Sequence, residues 1–228
     1  MVFVRIVTYA CGSDGNGATM TDSVRLTAEW SVEADCVAVK YRADNGGATP
    51  VYVIDGRFRA GPGGVAAWSD RPMVGYRPPD TAVLGSYLTP LNPAVHSAFP
   101  AATFAVHLAA GEAHESTLTA PLPLVPDGMT IEPVPTAVII GGKRIPPPFA
   151  GDPPRLADQS IVCRAAIFEL GVIPHDESLH PQPAHLAGRA VFRLEKAAWS
   201  LQRIVTAVRR PIELPMRVPS EFAENARR

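Results

Sequence analysis

SVRLTAEWSVEADCVAVKYRADNGGATPVYVIDGRF, Ser23 to Phe58, decides the fold. From Ser23 to Val32 the apolar Val24, Leu26, Ala28, Trp30 and Val32 alternate with Arg25, Thr27, Glu29 and Ser31. Successive side chains of a strand point to opposite faces, so this pattern gives one buried and one wet face. A helix would scatter the same five residues around its circumference. Glu33-Ala34-Asp35 is a short polar connection, and Val37, Val39 and Tyr41 form a second alternating row against Ala38, Lys40 and Arg42. Asp44-Asn45-Gly46-Gly47 supplies residues that tolerate positive φ. Pro50 then opens a third strand, Val51 to Ile54, at a position where a missing N–H does least harm.

Working outward, Thr81–Leu88, Thr103–Leu108, Gly188–Leu194 and Ile212–Val218 also read as strands. Leu118 to Leu124 alternates with prolines at two outward positions, which suits an edge strand or a strand end. Ser160–Leu170 fits either a buried strand or a short helix, closed by Gly171-Val172-Ile173-Pro174. Glu195–Ser200 reads as a short helix or loop, followed by a strand. Arg59–Pro79 reads as loop with short apolar pieces at Val65–Trp68 and Met73–Tyr76, and Thr89–Pro100 as loop. Long irregular connections are often functional, so Arg59–Pro100 is a candidate ligand surface, with Trp68 and Tyr76 as its binding aromatics.

Size and composition agree with this reading. The 228 residues are 46% hydrophobic and 19% charged, with a formal net charge of −1. That charge gives no reason to expect nucleic acid or an anionic membrane as partner. Twenty-four prolines and eighteen glycines, close to a fifth of the chain, exceed the roughly one-eighth of average usage and break long helices. The expected architecture is an all-β, immunoglobulin-like antiparallel β-sandwich. It carries long Pro/Gly-rich loops and at most one or two short helices. Residues 1–22 form an N-terminal strand or tether, 23–219 a single sandwich domain and 220–228 a solvated tail. Val125 to Arg155 holds eight prolines and reads as a crossover between sheets in preference to an inter-domain linker.

Val39 to Val53, VKYRADNGGATPVYV, resembles bacterial immunoglobulin-like sandwich domains, in which a strand with an Asn-Gly turn leads to a Pro-initiated strand. CARDB-type adhesion modules and the intracellular proteinase inhibitor family of Bacillus-like bacteria share this local pattern. The resemblance implies a binding or structural module and transfers no functional residue.

The chemistry-bearing clusters are sparse. His175-Asp176-Glu177-Ser178-Leu179-His180, with His185 beyond, collects histidines and carboxylates that suit a divalent metal. Its prolines make it a polar loop and not a helix presenting ligands, so the metal candidates His175, Asp176, His180 and His185 stand beside a plain surface reading. His107 and His114 flank a turn and are expected to be exposed. No G-x-S-x-G elbow, P-loop or dinucleotide fingerprint occurs, and Asp55 and Asp70 lack an acidic neighbour for paired-carboxylate hydrolysis. No cofactor is expected. Cys11, Cys36 and Cys163 match no metal spacing; Cys36 and Cys163 suit free thiols, or an inter-sheet disulfide if the chain is exported.

Met1–Ala10 followed by Cys11-Gly12-Ser13 looks like a lipoprotein attachment site, but ten residues are too short for a complete signal peptide, and Phe3 to Thr8 reads in preference as another strand. No segment approaches the ~20 apolar residues of a membrane helix. These features lead to a non-enzymatic module that binds a protein or envelope component, with a cell-envelope or periplasmic location. Two alternatives stand beside it: a proteinase-inhibitor-like domain acting through a loop such as Arg59–Met73, and a metal-dependent enzyme using the 175–185 segment.

Overall fold

The computed structural model describes residues 23–60, 66–88, 103–127, 138–140, 143–145, 160–186, 188–195 and 197–218. The expectations for Met1–Ala10, Cys11, Thr89–Pro100, the tail and most of Val125–Arg155 lie outside them. In chain order the strands are β1 (Val24–Val32), β2 (Cys36–Asn45), β3 (Val51–Val53), β4 (Arg57–Ala60), β5 (Ala66–Ser69) and β6 (Met73–Arg77). Next come β7 (Thr81–Ser86), β8 (Thr103–Leu108), β9 (Ala113–Pro121), β10 (Val138–Ile140), β11 (Lys143–Ile145) and β12 (Ile161–Cys163). The series closes with β13 (Ala165–Pro174), β14 (Gln182–Leu186), β15 (Arg189–Leu194), β16 (Arg203–Arg209) and β17 (Leu214–Met216). Among the described residues one short helix, α1 (Ala198–Leu201), and a 3-10 turn at Glu177–Leu179 accompany them. The protein is an all-β sandwich.

The first layer is the sheet β1-β2-β9, antiparallel throughout, with β1 and β2 in register from Val24↔Asn45 to Val32↔Val37. Its inner face buries Val24, Leu26, Ala28, Val37, Val39, Tyr41, Leu118 and Ala120. Its outer face carries Lys40, Arg42 and Glu115, with Arg42 in ion pairs to Asp44 at 2.7 Å and Glu115 at 2.9 Å. Alternation in sequence has become two faces of one sheet, as the period of two requires. β9 is an edge strand, as its prolines predict, although Asp70 O accepts a bond from Thr119 N at 2.9 Å.

The third strand leaves this layer. Ser23–Phe58 does not lie in one layer, because β3 crosses into the second sheet. Asn45, 1% exposed, organises the corner. Its Oδ1 accepts from Gly47 N at 3.1 Å, and its Nδ2 donates to Thr49 O at 2.9 Å, Leu108 O at 3.2 Å and Ala109 O at 3.1 Å. The physical reason is burial on both sides: Val51, Tyr52 and Val53 are all buried, which an outer sheet with one wet face cannot provide.

The second layer has the order β14-β15-β8-β3-β13-β7-β6, with β16 also on β13. It is mixed, since β13 and β7 run parallel from Ala165↔Thr81 to Leu170↔Ser86. β13 is the long central strand. Ala166 to Leu170 lie between β7 and β16, whereas Val172 lies between Val53 of β3 and Arg203 of β16. β3 therefore takes over from β7 on the same side of β13, and the sheet forks there. Ile54 N donates to Gly171 O at 2.9 Å, and Ser86 Oγ donates to Gly56 O at 3.1 Å across the fork. Gly171 extends β13 through to Pro174 and does not end it.

Between the layers lies the main core, including Tyr41, Leu84, Leu118, Phe168, Leu170, Val205 and Met216. A second cluster, Tyr52, Ile54, Ala105, Ile173, Leu179, Leu194 and Ala198, sits on the far face of the large sheet under the 3-10 turn and α1. Arg59–Pro79, read as loop, holds β4, β5 and β6, the last running antiparallel to β7. The expected short helix and following strand after Glu195 are α1 and β16. Cys36 and Cys163 are both free. Cys163 is buried with Sγ 3.8 Å from Met216 Sδ, and burial pushes its thiol pKa up to about 12.

Candidate functional site

A buried carboxylate occupies the fork. Asp55 follows β3 directly and is 2% exposed. Its Oδ1 accepts from the Tyr41 hydroxyl at 2.7 Å, and its Oδ2 accepts from Arg189 Nη1 at 2.5 Å. His114 Nε2 stands 3.2 Å from the same Oδ2, close enough for an ion pair without a hydrogen-bond angle, and Ser116 Oγ on the same strand is also buried without a hydrogen-bond partner. Four elements meet here: β2 through Tyr41, β9 through His114, β15 through Arg189, and the turn after β3. The carboxylate thus ties both layers of the sandwich together.

Trp68 of β5 completes the site. Its Nε1 donates to Asp55 O at 3.1 Å, and the Arg189 guanidinium lies over its ring, 3.9 Å from the centroid. Gly56, at φ +70°, makes this possible: a Cβ there would sit 2.3 Å from Trp68 Nε1 and 2.7 Å from Ser69 O. Only glycine tolerates both that backbone and that approach.

Burial alone raises a carboxyl pKa. For Asp55 that effect is the largest single one, yet His114 and the Tyr41 hydroxyl together outweigh it and hold the group below its ordinary value. Tyr41 moves the other way, well above the usual phenol, through burial and then the Asp55 charge. Its ring packs on Phe168 at 4.9 Å. Asp55 is therefore an anion with both oxygens engaged, and Tyr41 holds its proton. Neither serves as a free base or acid. What reaches solvent is Arg189, its side chain 38% exposed, fixed from below by a carboxylate and from the side by an indole.

The sequence candidates fall in several places. Trp68 is in this cluster. Tyr76 is not: it lies half-buried on β6 against the main core, its hydroxyl donating to Pro79 O at 2.5 Å. The 175–185 segment is no loose loop but the 3-10 turn followed by β14. Asp176 caps that turn, Oδ1 accepting from Ser178 N at 2.8 Å, and this bonding lowers its pKa. His175 Nδ1 is 3.1 Å from Tyr52 Oη, His180 is exposed in the left-handed region at φ 40°, and His185 is exposed on β14 opposite Ala190. Among the described residues, the group that brings three ligand atoms within 4.8 Å is Glu33, Asp35 and Cys36 at the β1–β2 turn, not these four.

Sequence reasoning missed Asp55, His114 and Arg189. His114 and Ser116 carry a signal in hindsight, since they share the period-two face of the buried Leu118 and Ala120. The strand begins earlier than its apolar residues suggest, so His114 is largely buried and not exposed as expected. Arg189 has no local signal, because its partner is 134 residues away. The fold and this site define the protein as a β-sandwich with an ionic cluster locked between its layers. Comparison with known proteins finds no matching family model, curated protein or solved structure. Among the described residues, no helix is long and apolar enough to cross a membrane.

Proposed function

We propose that this chain is a non-enzymatic binding module of a bacterial cell envelope, using the sandwich as a rigid scaffold for a recognition surface around Trp68 and Arg189. The observation that carries this reading is the full engagement of Asp55 by Tyr41, Arg189 and His114. A carboxylate with no free oxygen does no proton transfer, but it does orient the guanidinium above it. An arginine pre-set on an indole loses little side-chain freedom on binding, and Arg and Trp are the residues that dominate interface energetics. The immunoglobulin-like kinship and the envelope location belong to this reading through the Val39–Val53 pattern and the Cys11 tether.

The test is affinity capture from envelope extract of the source organism, with Trp68→Ala as the comparison. A protein or envelope component retained by the natural chain and lost with Trp68→Ala, at unchanged circular dichroism, supports the proposal. Turnover of any substrate that Asp55→Asn abolishes would overturn it. The proteinase-inhibitor-like alternative has one observation in its favour: the arms of the β4–β5 hairpin pair from Arg57↔Ser69 to Ala60↔Ala66, so the Arg59–Met73 segment is held on both flanks. Inhibition of a protease panel distinguishes it.

A further inference from the structure

An asparagine followed by glycine loses its amide more readily than any other, because glycine leaves the next backbone nitrogen free to reach the side-chain carbonyl carbon. Asn45-Gly46 is such a pair, and it stands at the corner where the chain leaves the first sheet for the second. The corner requires one of its two glycines and not the other. A Cβ on Gly47 would lie 2.6 Å from Ser23 Cβ. A Cβ on Gly46 would meet Ser23 O at 3.5 Å, an ordinary contact, and the φ there is not left-handed. Gly46 is thus not needed for space or backbone shape, and what it changes is the reactivity of Asn45.

The closed corner holds that reactivity back. Asn45 is 1% exposed and all its polar groups are engaged. Its N–H donates to Glu112 O at 2.9 Å and its carbonyl accepts from Gly111 N at 2.8 Å, in addition to the four side-chain bonds described above. Gly46 N, the atom that would attack, donates to Ser23 O at 2.7 Å. Ring closure needs that nitrogen to give up Ser23 O and needs the Asn45 amide to leave Thr49 O, Leu108 O and Ala109 O. The reaction therefore runs only from an opened corner.

We infer that Asn45-Gly46 is a one-way modification switch, unreactive while the corner is closed and, once deamidated, unable to close it again. The Gly46 nitrogen bonds to Asn45 Cγ, the Cγ–Nδ2 bond breaks, and ammonia leaves with the proton of the attacking nitrogen. Water then opens the cyclic imide at either carbonyl, giving aspartate or its β-linked isomer, with no oxidation or reduction. Aspartate here sets a carboxylate, which has no N–H to give, against the carbonyl oxygens of Thr49, Leu108 and Ala109. Acceptor faces acceptor out of reach of water, which is unfavourable for the closed form. The β-linked isomer also lengthens the backbone just before β3. Either product unlatches β3 from the first sheet. The switch is separate from Trp68 and Arg189 and does not depend on that reading.

The experiment holds the full chain at pH 8, folded or in urea, and follows the exchange of NH2 for OH in the tryptic peptide Ala43–Arg57 by mass. Deamidation should be about tenfold or more slower in the folded chain, since it proceeds only through the open fraction. Asn16-Gly17 in the same urea sample gives the rate of the unhindered chemistry. On return to buffer, the deamidated fraction, separated by its added charge, should lack hydrogen-exchange protection at Gly46, Ile54 and Gly111, and the unconverted fraction should regain it. Gly46→Ala, whose methyl fits, should fold with an unchanged melting temperature, deamidate about tenfold or more slower in urea, and refold after the same incubation. Equal rates in folded and unfolded chain, a deamidated chain that regains protection at those amides, or Asn45→Asp as stable as the natural chain each overturns the inference.

Discussion

Replacing Asp55 with asparagine isolates the charge that joins the two sheets. The substitution keeps shape and one acceptor but removes the anion that faces Arg189 and His114. Breaking a buried ion pair by deleting one partner costs about 3–5 kcal/mol. Arg189 is more than a third exposed and regains water when released, so the expected loss is smaller, about 2–3 kcal/mol. In urea that is a midpoint lowered by about 1 M, read by tryptophan emission with Trp68 next to the site. The pH dependence has a defined sign. A carboxyl depressed in the folded state contributes stability that is fully present above its unfolded pKa and lost as pH falls through the lower, folded value. The gap between natural chain and Asp55→Asn should therefore be constant from pH 7 to 5 and close on acidification below 3.8, the ordinary value. A variant within about 0.5 kcal/mol of the natural chain at pH 7, or a gap that widens in acid, refutes the reasoning.

Tyr41→Phe removes one donor to the same carboxylate, and calorimetry should show a loss of about 1–2 kcal/mol, less than additive with Asp55→Asn because the two share that bond. Gly56→Ala should cost more than the ~1–2 kcal/mol of left-handed strain alone, because Trp68 and Ser69 O block the new methyl; a red-shifted tryptophan emission reports the displaced indole. Leu118→Ala, at a fully buried position between the sheets, should lower stability by about 2–5 kcal/mol in denaturant titration. Cys163, with its thiol near 12 and fully buried, should resist iodoacetamide at pH 8 in the folded protein and react in urea, as peptide mass mapping will show.

The sequence alone determined the all-β class and most of the strands, because period-two alternation is a local property carried by side chains within a few residues of one another. β1 and β2 could be drawn from Ser23–Asn45 residue by residue, and Tyr41 already stood in the buried row. Trp68 was legible as a special aromatic for a weaker reason, its place among glycines and prolines. Tertiary structure decided the rest. Whether Asn45 closes a hairpin or turns a corner depends on Leu108 and Ala109, more than sixty residues away. Short apolar runs such as Met73–Tyr76 become strands only when a long partner like β7 fills their hydrogen bonds. The Asp55 cluster could not be found locally at all, since an isolated aspartate, histidine and arginine in sequence carry no sign of one another. A buried charge is tolerable only where its counter-charges converge, and that convergence exists only once the second sheet forks around β13.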